Sequence, residues 1–157
     1  MGPTSAATLV IAGLAAAAVA WLTISRFYGE MPDLPWLPPL TLAALAVLEG
    51  SIAFNTKARI DRKPGREPVD PLAVARFVVL AKASSLAGAI FAGFYGGLLG
   101  WLLIERQRND HAAQDTPPGA AGFVASLALV AAALWLERAC RVPEPPDDQD
   151  EPGLKGE

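Results

Sequence analysis

The sequence predicts an all-α fold, namely a four-helix transmembrane bundle with a long third helix. Of the 157 residues, 52% are hydrophobic and the mean hydropathy is +0.32, so the chain is more apolar than an average soluble domain. Residues 1–25, 83–104 and 116–136 contain no Asp, Glu, Lys or Arg. Each stretch is close to the roughly 20 residues that a helix needs to cross a bilayer. This composition excludes a disordered chain and a chain that coats nucleic acid.

The first predicted span covers about residues 4–25. The small residues at 15–20 also resemble a signal-peptidase site, so a cleaved secretory signal is the alternative. No Lys or Arg precedes Arg26, however, and a retained helix is therefore favoured. Four prolines between residues 32 and 39 then predict a loop, because proline lacks the N–H that a continuing helix needs.

The second span is predicted at about residues 39–55 and is the weakest of the four. It is short and contains Glu49, so a re-entrant or interfacial segment is the alternative. A full crossing is favoured because it places the basic segments of the chain on one side of the membrane. The third and longest span covers about residues 72–104. Asp70 can cap its free N–H groups, and Pro71 suits the first turn.

The fourth span is predicted at about residues 119–138, after the segment Pro117-Pro118-Gly119, which predicts the end of a loop. The four spans together form a predicted membrane domain at residues 1–142. Residues 143–157 carry six acidic side chains and few apolar ones, so they predict a disordered acidic tail in the cytosol.

The basic residues predict the orientation in the membrane. Ten of the 13 Lys and Arg residues lie within 55–82 or after residue 136, on one side of the predicted bilayer. The positive-inside rule then places the N and C termini in the cytoplasm. The sequence thus predicts a multi-pass protein of the cell (inner) membrane, with the lipid bilayer as its surroundings.

The third span carries a stripe of small residues, which we call the helix 3 stripe. Small residues allow helix backbones to approach closely in a bilayer. The stripe predicts close packing, either within the bundle or against a partner helix, with glycines 88, 93, 96, 97 and 100 as the packing positions. Its two rows, each with a spacing of four residues, are Ser84, Gly88, Ala92, Gly96 and Gly100, and Ser85, Ala89, Gly93 and Gly97.

Two ionisable residues interrupt the apolar spans. Glu49 and Lys82 lie about 9 and 8 Å from the cytoplasmic ends of their spans, at 1.5 Å per residue. Because a charge is costly at that depth, we expect Glu49 and Lys82 to form an intramembrane pair, with Ser84 and Ser85 as polar neighbours. Such a pair could fix the helix register, bind an anion or relay protons.

The sequence predicts no enzyme. One cysteine and one histidine are too few for a multi-cysteine metal site or a histidine cluster. No Ser-His-Asp set and no phosphate-binding loop is recognisable. We therefore expect no catalytic residue, no metal, no cofactor and no nucleic-acid partner.

Two segments of the chain carry a resemblance to a known family. Residues 79–86, Val-Leu-Ala-Lys-Ala-Ser-Ser-Leu, and residues 140–143, Cys-Arg-Val-Pro, resemble a small actinobacterial membrane family known as domain of unknown function family 3180. The resemblance covers the chain except its acidic tail. It implies a four-helix inner-membrane protein whose gene often lies near folate-biosynthesis genes, and it implies no activity.

The predicted function is that of a non-enzymatic accessory or scaffold protein. The helix 3 stripe would pack against a membrane-protein partner or against another copy of the chain. The alternative is a transporter or pore component with a polar path around Glu49 and Lys82. Its link to folate metabolism comes from the gene neighbourhood of the family alone.

Overall fold

A computed structural model describes residues 4–61 and 70–141 of the chain. Within these residues the chain forms four α-helices and no strand, and each helix is long and apolar enough to cross a membrane. The predicted all-α class with a long third helix is thus confirmed. The predicted tail at 143–157 lies outside the described residues. The elements are α1 (Ala6–Phe27), a 3-10 turn (Tyr28–Glu30), α2 (Leu37–Ile60), α3 (Pro71–Glu105) and α4 (Asp110–Ala139).

The four helices pack as an open row. α3 packs along both α1 and α4, and α4 also packs along α2. In the described part of the chain, α1 makes no close backbone contact with α2 or α4, and α2 approaches α3 only locally. The order across the row is therefore α1, α3, α4, α2, with α3 and α4 at its centre.

A close approach of two backbones joins α1 to α3. Gly13 and Ala17 of α1 face Gly93 and Gly97 of α3. A Cβ atom at Gly97 would lie 2.5 Å from the carbonyl oxygen of Ala17, and a Cβ atom at Gly93 would collide with the carbonyl oxygen of Gly13. Because the obstacle is backbone in both cases, only glycine fits at these two positions of α3 in this packing.

Two glycines of the other row of the helix 3 stripe, Gly88 and Gly96, face α4. A Cβ atom at Gly88 would lie 2.9 Å from Cγ2 of Val130 and 3.3 Å from the Val130 backbone nitrogen. At Gly96 it would lie 3.2 Å from the ring of Phe123. This side of α3 therefore packs tightly against α4.

Aromatic rings fill the space that two further glycines leave. A Cβ atom at Gly100 of α3 would lie 3.2 Å from the ring of Trp21 on α1. Gly122 of α4 accommodates the ring of Tyr95. All five glycines predicted for helix packing therefore face α1 or α4 of the same chain.

α2 begins inside the segment that was predicted as a loop. Pro38 and Pro39 lie in the first turn of α2, after Leu37, so the expectation that they belong to the loop is wrong. The first N–H groups of a helix have no acceptor within the helix, and proline there loses no hydrogen bond. At the start of α3 the prediction is confirmed, because the Asp70 side chain accepts a hydrogen bond from the N–H of Leu72 at 3.0 Å.

α4 also begins earlier than its predicted span. The segment Pro117-Pro118-Gly119 lies inside α4, so the prediction that it ends a loop is wrong. The helix starts after Asn109, whose side-chain oxygen caps it by accepting a hydrogen bond from the N–H of His111 at 3.0 Å. Asp115, one turn beyond His111, accepts hydrogen bonds from the 3-10 turn and from the loop that follows it. The cap and these tertiary contacts outweigh the local preference of the two prolines.

The single cysteine of the chain lies at the end of α4. Cys140 is 6% exposed and packs with Ala53, Ala81 and Leu136. Burial raises the pKa of its thiol, and the thiolate is the form that reacts with electrophiles. A fluorogenic maleimide should therefore label Cys140 slowly in the folded protein and rapidly once α4 separates from its neighbours.

Replacing Gly93 with alanine should destabilise the protein. The added methyl group would collide with the backbone of α1, and overpacking of this kind costs about 1–3 kcal/mol. We expect maleimide labelling of Cys140 to begin at a lower temperature than in the unchanged protein. Gly50→Ala is the matched control, because a Cβ atom at Gly50 meets nothing within 4 Å. Equal thermal shifts in the two variants would contradict the close approach of α1 and α3.

Candidate functional site

Glu49 of α2 is the most unusual polar residue in the described part of the chain. It is 1% exposed and lies on the buried face of α2, together with Ala46 and Ala53. Neither oxygen of its carboxyl group has a hydrogen-bond partner. The Ser84 hydroxyl of α3 is close enough to interact with this carboxyl group, but its geometry does not satisfy a hydrogen bond. A buried polar group without a partner costs about 1–3 kcal/mol, and a charged one costs more.

Lys82 of α3 acts on a different carboxylate. Its ammonium group attracts Glu137 of α4, and so does the guanidinium group of Arg141. Arg141 Nη2 lies 4.0 Å from Glu137 Oε1. No ion pair between Glu49 and Lys82 occurs among the described residues. The structure therefore does not bring the two residues of the predicted pair together.

Glu137 links the beginning of the chain to the end of α4. The backbone N–H of Thr4 donates to Oε1 at 2.9 Å, and the Thr4 hydroxyl donates to Oε2 at 2.5 Å. Glu137 is 5% exposed, so both of its oxygens are buried and bonded. Sequence reasoning missed this contact because the two residues are separated by almost the whole described chain.

The two predicted serine neighbours of the pair have different surroundings. Ser84 interacts with Glu49. Ser85 is fully buried, and its hydroxyl donates to the carbonyl oxygen of Lys82 in the preceding turn at 3.0 Å. A serine that is bonded to its own helix backbone has already used its proton. Of the two, Ser84 is therefore the one that the structure brings to Glu49.

A second polar cluster lies at the opposite end of the bundle from Glu137, and we call it the Asp115 cluster. Asp115 of α4 is 2% exposed. It accepts hydrogen bonds from the Tyr28 hydroxyl at 2.7 Å and from the backbone N–H of Leu34 at 2.9 Å. His111 Nε2 lies 3.8 Å from Asp115, and His111 Nδ1 lies 3.1 Å from Asp33. The cluster ties the loop after α1 to the start of α4.

Sequence reasoning missed the Asp115 cluster because this part of α4 was predicted as a loop. The available signal was the spacing of His111 and Asp115, which places both on one face of a helix. The partners that define the cluster come from the 3-10 turn after α1 and from the loop that follows it, far away in sequence. The aspartates are the charged partners of His111 in the described structure, so this arrangement fixes helix ends.

Apolar grooves lie between several pairs of helices. One groove of about 730 Å³ lies between α2 and α4 and extends from Trp36 to Trp135. A second groove of about 400 Å³ lies between α1 and α4, which we call the α1–α4 groove. Its floor consists of Ala89, Ala92, Gly93 and Gly96 of the helix 3 stripe. Its walls include Leu9, Val10 and Leu14 of α1 and Phe123, Leu127 and Val130 of α4.

Residues 4–61 and 70–141 provide no set of ligands for a metal ion. These residues contain no group of three or more His, Cys, Asp or Glu side chains that could hold a metal ion. The carboxylates at the two ends of the bundle are instead bonded to hydroxyl and backbone N–H groups. These carboxylates therefore hold helices in place. Glu49 differs from them, because neither of its oxygens forms a hydrogen bond in the described structure.

Comparison with known proteins gives one match. A family model described as "Protein of unknown function (DUF3180)" matches residues 9–144. No curated protein and no solved structure matches the chain.

Replacing Tyr28 with phenylalanine should destabilise the bundle by removing a donor from the buried carboxylate of Asp115. A hydrogen bond to a charged group contributes about 1.5–3 kcal/mol to the free energy of unfolding. We expect earlier thermal labelling of Cys140 in Tyr28→Phe. Tyr95→Phe is the control, because the Tyr95 hydroxyl takes part in no hydrogen bond of the described residues. If both variants unfolded at the temperature of the unchanged protein, the hydrogen bond of Tyr28 would carry no stability.

Proposed function

The chain belongs to the DUF3180 family of proteins of unknown function, and we propose that it acts as a non-enzymatic accessory protein that binds a transmembrane helix of a partner. The observation that supports this proposal is the α1–α4 groove, whose floor is part of the helix 3 stripe. The chain's own helices cover most of the stripe. They leave open the α1–α4 groove, which has small residues along its base.

A helix suits the α1–α4 groove because small residues line its base and because it lies between α1 and α4. Small residues on α3 would let an incoming helix approach the α3 backbone, which in a bilayer yields dispersion and Cα–H contacts that lipid chains do not match. α1 and α4 stand on either side of α3 without close contact between their backbones. An added helix would complete a closed group of four with α1, α3 and α4.

The non-enzymatic part of the proposal rests on the serine hydroxyls. Ser51 donates to the carbonyl oxygen of Val47 at 2.8 Å, and Ser126 donates to that of Gly122 at 2.7 Å. Ser85 is bonded to its own helix in the same way. A hydroxyl that donates to a helix carbonyl is not paired with a general base, as nucleophilic catalysis requires.

The orientation in the membrane is part of this proposal. Four helices capable of spanning a membrane make the chain a multi-pass membrane protein. The distribution of Lys and Arg supports the cell (inner) membrane with both termini in the cytoplasm. Thr4 and Glu137, which are bonded to each other, would then lie at the cytoplasmic end, and the Asp115 cluster at the outer end.

A transporter or pore component remains the second candidate. The observation that favours it is the unpartnered carboxyl group of Glu49, because an intramembrane ionisable residue often marks an ion or proton pathway. A polar path around Glu49 and Lys82 would serve such a function. A link to folate metabolism would follow from the gene neighbourhood of the family and from no residue of this chain.

A photo-cross-linking amino acid at Leu14 should capture the partner helix in native membranes. Leu14 is 66% exposed and lines the α1–α4 groove. The same amino acid at Leu48, which is 55% exposed on α2 and outside this groove, is the matched control. We expect an adduct from Leu14 whose cross-linked peptide lies in a membrane span of another protein, and no such adduct from Leu48.

A variant that narrows the α1–α4 groove tests whether the partner helix binds there. Leu127→Trp enlarges a wall residue of the groove that is 48% exposed. Each loss of about 1.4 kcal/mol in association free energy should lower the adduct yield about tenfold. Equal yields from both probe positions, or no effect of Leu127→Trp, would refute helix binding in this groove. An adduct with the mass of two copies would make the groove a self-association interface and would exclude a separate partner.

A further inference from the structure

The carboxyl group of Glu49 is shielded from solvent and has no hydrogen-bond partner in the described structure. The side chain is 1% exposed, and neither oxygen forms a hydrogen bond in the described structure. An ionised carboxylate in such a place lacks both hydration and a compensating charge. A protonated carboxyl group, being neutral, has a much smaller desolvation cost. Burial therefore favours the protonated form of Glu49.

The charged groups near Glu49 on the neighbouring helices interact with residues other than Glu49. Lys82 on α3 and Arg141 after α4 act on Glu137. Lys57, two turns beyond Glu49 on α2, lines a polar pocket with Asp61 and Arg138 at the end of the bundle. The ion pairs described for residues 4–61 and 70–141 join other residues. The surroundings of Glu49 are thus set by burial and by the neutral hydroxyl of Ser84.

The Ser84 hydroxyl favours the ionised form when it donates to Glu49, and burial opposes it as the larger effect; a protonated Glu49 can still bond to Ser84. A carboxylate can only accept hydrogen bonds, whereas a protonated carboxyl group has one donor and further acceptor capacity. The serine hydroxyl likewise donates and accepts. With a proton on Glu49, a bond can form in either direction after a small rotation of the side chains.

We propose that Glu49 is a proton-binding site inside the assembled bundle. Its carboxylate takes up one proton from water when α2 packs against α4 and α3, and the proton returns to water when α2 moves away. The ligand is the proton alone, and no metal ion is required. This inference is independent of helix binding in the α1–α4 groove, because Glu49 lies on α2, on the other side of α4.

Labelling with an apolar carbodiimide tests the proposal on the purified full-length protein in detergent. A protonated carboxyl group adds across a C=N bond of the reagent: its oxygen bonds to the central carbon, its proton goes to nitrogen, and rearrangement gives a stable acylurea. Peptide mapping of the unchanged protein should locate the adduct at Glu49 and not at Glu137, whose oxygens are bonded to Thr4. The yield should fall as the pH rises, because ionisation of Glu49 removes the proton that the addition requires.

Two variants distinguish a protonated Glu49 from a Glu49 carboxylate that is paired with Lys82. Lys82→Met should leave the labelling of Glu49 unchanged, and Glu49→Gln should abolish it. If the unchanged protein resisted labelling while Lys82→Met was labelled at Glu49, the carboxylate would be ionised and paired, and the proposal would be overturned. Protection by Na⁺ at constant pH would also overturn it, because the ligand would then be a cation other than the proton.

Infrared spectroscopy decides the case in which the reagent cannot reach Glu49. At about pH 8 exposed carboxyl groups are ionised, so a C=O band of a protonated carboxyl group reports a buried acid. We expect this band in the unchanged protein and in Glu137→Gln, which keeps Glu49. Absence of both the adduct and the band would overturn the proposal without any need for a Glu49 variant to fold.

Discussion

The contact between the backbones of α1 and α3 determines where the first helix can lie. A bilayer provides no hydrophobic drive for one apolar helix to leave lipid for another, so association depends on close packing and polar bonds. α1 has only α3 as a helical neighbour in the described row. The missing side chains at Gly93 and Gly97 make that single contact close. Hydrogen bonds from Thr4 and Tyr28 to α4 then fix the two ends of α1.

Three buried carboxyl groups show how strongly the position in the bundle controls their chemistry. Glu137 and Asp115 lie at the ends of α4, where chain termini and loops supply hydroxyl and backbone N–H donors. Glu49 lies in the middle of α2, where neighbouring backbones are occupied by helical hydrogen bonds and supply none. The same functional group is thus a structural anchor at the ends and an unsatisfied group in the middle. Helical regularity itself causes this difference.

The fold class could be predicted because charge-free stretches of membrane length have few alternatives. The order of the helices could not, since a hydropathy pattern carries no information on which spans touch. The pairing of Glu49 with Lys82 was inferred from equal depth, but equal depth does not determine which residue of α3 meets α2: Ser84 interacts with Glu49, whereas Lys82 attracts Glu137. The glycine spacing predicted close packing of α3. It could not reveal that α1 and α4 are the helices that use it.

The interleaved order of the row bears on how the protein is made. As the chain leaves the ribosome, α1 and α2 enter the membrane first, yet they are at opposite edges of the finished row. Neither can form its native contact until a later helix arrives, α3 for α1 and α4 for α2. The only neighbours in sequence that also pack along each other are α3 and α4. Native packing therefore cannot begin before α3 is in the membrane, and a chain whose translation stops before α4 would leave α2 without its main packing partner.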